Sequence, residues 1–135
     1  MANRKNTLLT QAELRFMNII WENEESTIRD IRENMPDGEN IPYTTVATIV
    51  RVLAKKGFLH QRLQGKTMYY KAAVDKRDYE SRTIDQMVKN LFNSTPVSLA
   101  TRLIDDHDLT AEELAEIKAI LDRKLEDESR KKSSA

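Results

Sequence analysis

The sequence predicts a mainly α-helical protein with one small β-hairpin, and three observations carry that prediction. Apolar residues recur at helical spacing through most of the chain. Two segments open with a threonine followed three residues later by a glutamate, Thr10 with Glu13 and Thr110 with Glu113, the pattern of a capping box. Only three glycines and three prolines punctuate 135 residues, too few for a loop-rich or all-β chain. The order helix, helix, helix, hairpin, then further helices is that of a winged helix-turn-helix domain followed by a helical domain. We place these domains at residues 1–74 and 75–135.

The first helix follows Thr10, with Leu14, Met17, Ile20 and Trp21 on one face. Residues 22–26 form a polar break. A second short helix follows Thr27, with Ile28, Ile31 and Met35 inward and Asp30 near its start; Pro36-Asp37-Gly38 stops it. The third helix is expected over residues 44–56. Gly57 is suited to the left-handed residue that ends it, and Lys55 and Lys56 complement its dipole. Extended segments at 58–63 and 68–73 flank Gln64-Gly65-Lys66-Thr67, a hairpin with glycine in the turn.

Asp75 can cap a fourth helix over 76–92, with Tyr79, Ile84, Met87, Val88, Leu91 and Phe92 as its apolar members. Asn93-Ser94-Thr95 breaks it, and Pro96 suits the first turn of a short fifth helix ending near residue 105. The last helix follows Thr110 and carries the stripe Leu114, Ile117, Leu121 and Leu125, with Ile120 beside it. From residue 126 onward the tail is expected to fray.

Charge is sorted although the total is zero, with 22 basic and 22 acidic residues. No acid occurs between Glu39 and Asp75, while that interval holds Arg51, Lys55, Lys56, Arg62, Lys66 and Lys71. On a helical wheel Val46, Ile49, Val50 and Leu53 fall on one side of the third helix. Thr44, Ala47, Thr48, Arg51 and Lys55 fall on the other. Short hydroxyl and methyl side chains let a backbone sit deep in a major groove against base edges and thymine methyls. Arg51 is long enough for a guanine edge or a phosphate, and Lys55 and Lys56 suit phosphate. Tyr43, Thr44 and Thr45 sit where free helix N-terminal amides also favour phosphate. In the hairpin, Arg62, Lys66 and Lys71 are the candidate contacts. A helix-and-wing pattern with this charge points to double-stranded DNA; a winged helix used for protein docking is the alternative.

Other chemistries find little support. There is no cysteine, which excludes disulfides, thiolate metal sites and cysteine nucleophiles. Asp105-Asp106-His107-Asp108 has the look of a metal box, but short interhelical loops favour Asp for turn geometry. His60 is expected as a surface or packing residue. No glycine-rich phosphate loop or nucleophile motif appears, so no enzyme, metal or cofactor is predicted. The N-terminus lacks a signal-peptide apolar core, and no apolar run approaches the ~20 residues of a membrane span. The expected location is the cytoplasm.

The segments LTQAELRFMNIIW and YTTVATIVRVLAKKGFL, with the Tyr69-Tyr70 strand of the hairpin, resemble the BlaI/MecI family of penicillinase repressors. The resemblance runs from Leu9 to Asp127. It implies a winged-helix DNA-binding domain, a helical dimerisation domain, and a homodimer that represses transcription from an inverted-repeat operator. Family members control β-lactam resistance or copper homeostasis genes. Carried over by position, Tyr43, Thr44, Thr45, Thr48 and Arg51 match the family's DNA-contacting helix. Leu91, Leu114, Ile117, Leu121 and Leu125 are the candidate dimer interface. The cysteine motif of the copper-responsive branch is absent. Penicillinase repressors are cleaved in the dimerisation region, and alignment places Arg102-Leu103 at that bond, where the best-known members have Asn-Phe. A membrane-bound sensor protease is thereby a candidate partner.

Overall fold

A computed structural model of the chain describes residues 8–133. Its elements are α1 (Gln11–Trp21), α2 (Ile28–Asn34), a 3-10 turn (Gly38–Asn40), α3 (Tyr43–Lys55), β1 (Leu59–Gln64), β2 (Thr67–Ala72), α4 (Lys76–Leu91), α5 (Pro96–Asp106) and α6 (Ala111–Ser133). Three helices start on reciprocal caps. Thr10 and Glu13 close the first box, Thr27 and Asp30 the second, and Thr110 and Glu113 the third. Each satisfies amides that the helix itself leaves unbonded.

The end of α3 is equally local in origin. Gly57 adopts φ +91°, Phe58 N–H donates to Leu53 O at 2.9 Å, and Gly57 N–H donates to Ala54 O at 3.1 Å. That pair of bonds is a Schellman stop, which needs a left-handed residue where glycine stands. It turns Phe58 directly into the core. The hairpin pairs Leu59 with Ala72 through Gln64 with Thr67, leaving Gly65 and Lys66 as a two-residue turn. Gly65 has φ +64°, as the first central position of a II′ turn requires. Ser26 adds a fragment of a third strand, exchanging N–H to O bonds of 2.8 Å each way with Tyr70.

The core gathers Phe16, Met17 and Ile20 of α1, Ile28 and Ile31 of α2, and Val46, Val50 and Leu53 of α3 under the hairpin. Phe58, Tyr70, Val74 and Tyr79 complete it. Trp21 Nε1 donates to Val74 O at 2.8 Å. Tyr79 sits edge-on to Phe58 at 6.0 Å and tilted against Trp21 at 5.8 Å, and its hydroxyl accepts Leu9 N–H at 2.9 Å. The chain divides into two compact units between Met87 and Val88, inside α4. The start of α4 thus belongs with the winged helix.

The second unit is different in kind. After α4, Asn93 and Ser94 take positive φ (51° and 62°), with Ser94 N–H donating to Val88 O; Pro96 then opens α5. Neither α5 nor α6 has a buried residue. Leu103, Leu114, Ile120, Leu121 and Leu125 are all exposed, as is Leu91 at the end of α4. The expected fraying from residue 126 does not occur: α6 continues to Ser133. Pairs Asp127–Arg130 and Glu128–Lys131 line that stretch, and Arg130, Lys131 and Lys132 complement the dipole at its end. No helix among the described residues is long and apolar enough to cross a membrane.

Candidate nucleic-acid interface

The outer side of α3 is built from Tyr43, Thr44, Thr45, Thr48, Arg51, Val52 and Lys55, all exposed. Thr48 Oγ1 donates to Thr44 O at 2.8 Å. Its hydroxyl proton is thereby used within the helix, and a methyl with two oxygen lone pairs faces outward. Those groups suit a thymine methyl or an exocyclic amine. Between α3 and the wing lies an open concavity of about 480 Å³, lined by Arg51, Lys55, Leu59, Gln61, Met68 and Tyr70 among others. Arg51 and Lys55 border it from the helix, and Lys66 stands at the tip of the hairpin. These three cations have no ion pair among the described residues.

Ala47 is a correction. It was expected on the outer face, but it is 3% exposed and belongs to the core. The buried stripe of α3 is Val46, Ala47, Val50 and Leu53, with Ile49, expected there, only partly buried. Alanine's small size suits close packing there, and its methyl cannot reach a base. Val52, not singled out from sequence, is 38% exposed instead; its place beside Thr48, Arg51 and Lys55 on the wheel was the available signal. Gln61, also unanticipated, faces the concavity.

Two expected phosphate contacts are engaged elsewhere. Lys56 Nζ donates to Glu13 Oε2 at 2.7 Å, while Glu13 Oε1 accepts Thr10 N–H at 2.9 Å. One carboxylate therefore caps α1 and anchors the end of α3. Arg62 makes a two-pronged contact with Glu25 at 3.0 and 2.7 Å and lies 4.8 Å from the Tyr69 ring centre. Arg62 holds the Glu25 carboxyl below the usual carboxylate range, Lys71 adding to it, and Glu25 in turn raises Arg62.

For Glu13, burial pushes the pKa up, but the bonds from Lys56 and Thr10 and the Lys56 charge outweigh it, and the net shift is downward. A lowered folded-state pKa means stability that is present above the unfolded value and lost as pH falls through the folded one. Glu13→Gln retains a capping acceptor and removes the charge. It should lower stability by about 1.5–3 kcal/mol at neutral pH, the range for a hydrogen bond to a charged group. Urea midpoints measured across pH should show the gap to the unsubstituted chain closing in acid, where the native glutamate is itself protonated.

The remaining candidates lie on β1 and in the second unit. His60 is exposed opposite Lys71 on the hairpin. Asp106 pairs with Arg102 at 3.7 Å, and His107 Nδ1 lies 3.0 Å from Leu103 O. No cluster of three metal-ligating side chains occurs among the described residues. Arg102 and Leu103 lie within α5, and Leu103 is 51% exposed.

Fold and surface together define a winged helix-turn-helix protein with a basic face on its third helix and wing. The chain belongs to the penicillinase repressor family, whose sequence profile matches residues 9–123; this is a family of repressors, not of enzymes. It is similar to the methicillin resistance regulatory protein MecI of Staphylococcus aureus, 26% identical over 122 residues, 90% of this chain and 99% of that protein. It is also similar to the penicillinase repressor of Bacillus licheniformis, 25% identical over 129 residues, 96% of this chain and 98% of that protein. Among solved structures, the DNA binding domain of the repressor BlaI matches with a TM-score of 0.50 at 24% identity, covering 58% of this chain and 94% of that one. That likeness extends to the fold.

Proposed function

We propose that this chain is a cytoplasmic, sequence-specific transcriptional repressor that binds an inverted-repeat DNA operator as a homodimer. The observation that carries the reading is the set of exposed cations Arg51, Lys55 and Lys66 around a threonine-lined helix, in a chain of zero net charge. Family membership supports repression as the outcome. Homodimerisation is supported by α5 and α6, which bury none of their own side chains and present Leu114, Leu121 and Leu125 outward. Apolar surface of this kind is stabilised by covering it, and a second copy of the same unit does so with two-fold symmetry. Two heads on one axis then match two half-sites spaced by helical turns. Release by a membrane-bound sensor protease at Arg102-Leu103 would require α5 to open locally, since that bond lies inside the helix.

Selection of bound duplexes from a random-sequence pool tests the proposal. A pseudo-palindrome should emerge, and its affinity should fall steeply with salt as counterions are released. A protein-docking module would recover no common sequence and show no such slope. Within that assay Arg51→Ala should weaken the selected duplex by about 1–3 kcal/mol while sparing mixed-sequence DNA, the mark of a base contact. An equal loss on both would reassign Arg51 to phosphate.

A further inference from the structure

The wing is tied to the helical body at two adjacent places besides the hydrophobic core. One is the backbone exchange between Ser26 and Tyr70. The other is the preceding residue, Glu25, gripping Arg62 on β1. Arg62 Nε donates to Glu25 Oε2 at 3.0 Å, Nη2 to Oε1 at 2.7 Å, and Nη1 to Gln64 Oε1 at 2.6 Å. Tyr69, directly across the hairpin from Arg62, lies beneath the guanidinium. All three guanidinium nitrogens are thus turned to protein partners in the planar geometry that suits carboxylate. The neighbouring cations Arg51, Lys55 and Lys66 have no such partners.

We infer that Glu25 and Arg62 form a clasp that positions the wing for DNA, so that Arg62 is a positioning residue and not a phosphate contact. The inference rests on the DNA-binding reading above. The two roles predict opposite signs for one substitution. If Arg62 gripped phosphate, Glu25 would compete for it and repel the duplex, and Glu25→Gln would strengthen binding. If the pair is a clasp, Glu25→Gln loosens the wing and weakens binding, although it removes a negative charge from a DNA-binding protein.

The test uses the full chain with Glu25→Gln, Arg62→Ala, Arg62→Lys and the double variant Glu25→Gln/Arg62→Ala. The probes are the duplex recovered by selection and, without DNA, amide hydrogen exchange. Each single variant should bind about three- to fivefold more weakly, the scale of an exposed ion pair. The double variant should be no weaker than the singles, because both remove one interaction. Lysine keeps the charge and loses the fork, so Arg62→Lys should group with alanine. The slope of log affinity against log salt should be unchanged in Arg62→Ala, whereas a lost phosphate contact lowers it by about 0.9. Exchange at the Ser26 and Tyr70 amides should quicken by a similar factor in every variant. Tighter binding by Glu25→Gln, a reduced slope in Arg62→Ala, wild-type behaviour of Arg62→Lys, or unaltered exchange would each overturn the clasp. If the unsubstituted chain binds no duplex, the DNA reading and the positioning role fall together, and the exchange data still decide separately whether the pair holds the wing.

Discussion

Phe58→Ala should destabilise the winged-helix unit by about 3–5 kcal/mol, the range for truncating a buried phenylalanine. Phe58 is 0% exposed. Its backbone is committed on both sides, with its N–H bonded to Leu53 O and its carbonyl accepting Ala73 N–H at 2.8 Å. The chain therefore cannot slide to fill the space the ring leaves. Tyr79, edge-on to that ring, would lose that contact while its hydroxyl stays tied to Leu9. Domains of this size are stabilised by only about 5–15 kcal/mol, so the loss takes a large share. Urea unfolding should show a lower midpoint with an unchanged slope. A shift under about 1 kcal/mol, the size of an ordinary surface change, would mean that the ring is not the keystone of this core.

That expectation comes from a feature only half legible in the sequence. Gly57 after two lysines announced the end of α3, and the capping boxes at Thr10 and Thr110 announced two helix starts. Such signals are local: a cap or stop is made by residues within five positions of each other, so their spacing suffices. What followed from long-range packing was not legible. Lys56 and Arg62 are plainly cations in the sequence, but their partners Glu13 and Glu25 lie 43 and 37 positions away. Nothing in local spacing separates a cation facing solvent from one folded onto a carboxylate. Ala47 shows the same limit from the apolar side, since a methyl fits equally well against a base or against a packed helix, and only the neighbours decide.

These placements narrow the set of cations proposed to meet DNA. Setting Lys56 and Arg62 aside from the candidate contacts leaves Arg51 and Lys55 bordering the concavity between α3 and the wing, Lys66 at the hairpin tip and Lys71 on β2. The two cations withdrawn from that set lock elements in place instead, one fixing α3 to α1 and the other fixing the wing to the segment before α2. A rigid support holds a reading surface at lower entropic cost on binding than a set of free side chains does. On α3 and the wing, then, the cations divide by partner: Lys56 and Arg62 are paired to acids, while Arg51, Lys55 and Lys66 are not.

A fragment ending at Met87 should fold and yet bind the selected duplex on the order of a hundredfold more weakly than the full chain, because only linked heads gain from the second half-site. The choice of end point follows from the core. A fragment ending at Val74 would lose Tyr79, uncovering Phe58 and Trp21, so any fall in its affinity would mix unfolding with loss of partnership. Ending at Met87 keeps Tyr79 and the whole first unit while removing α5, α6 and the exposed Leu91, Leu114, Leu121 and Leu125. Sedimentation should give a monomer for the fragment and a dimer for the full chain at micromolar concentration. The salt slope per head should stay the same, since each head keeps Arg51, Lys55 and Lys66, and the full chain's slope should be about twice the fragment's as its phosphate contacts double. On a duplex carrying one half-site the advantage of the full chain should nearly vanish, because the second head then has nothing specific to meet. Equal affinity of fragment and full chain for the complete inverted repeat would show that each head acts alone, and the exposed stripe of α6 would then need a different occupant.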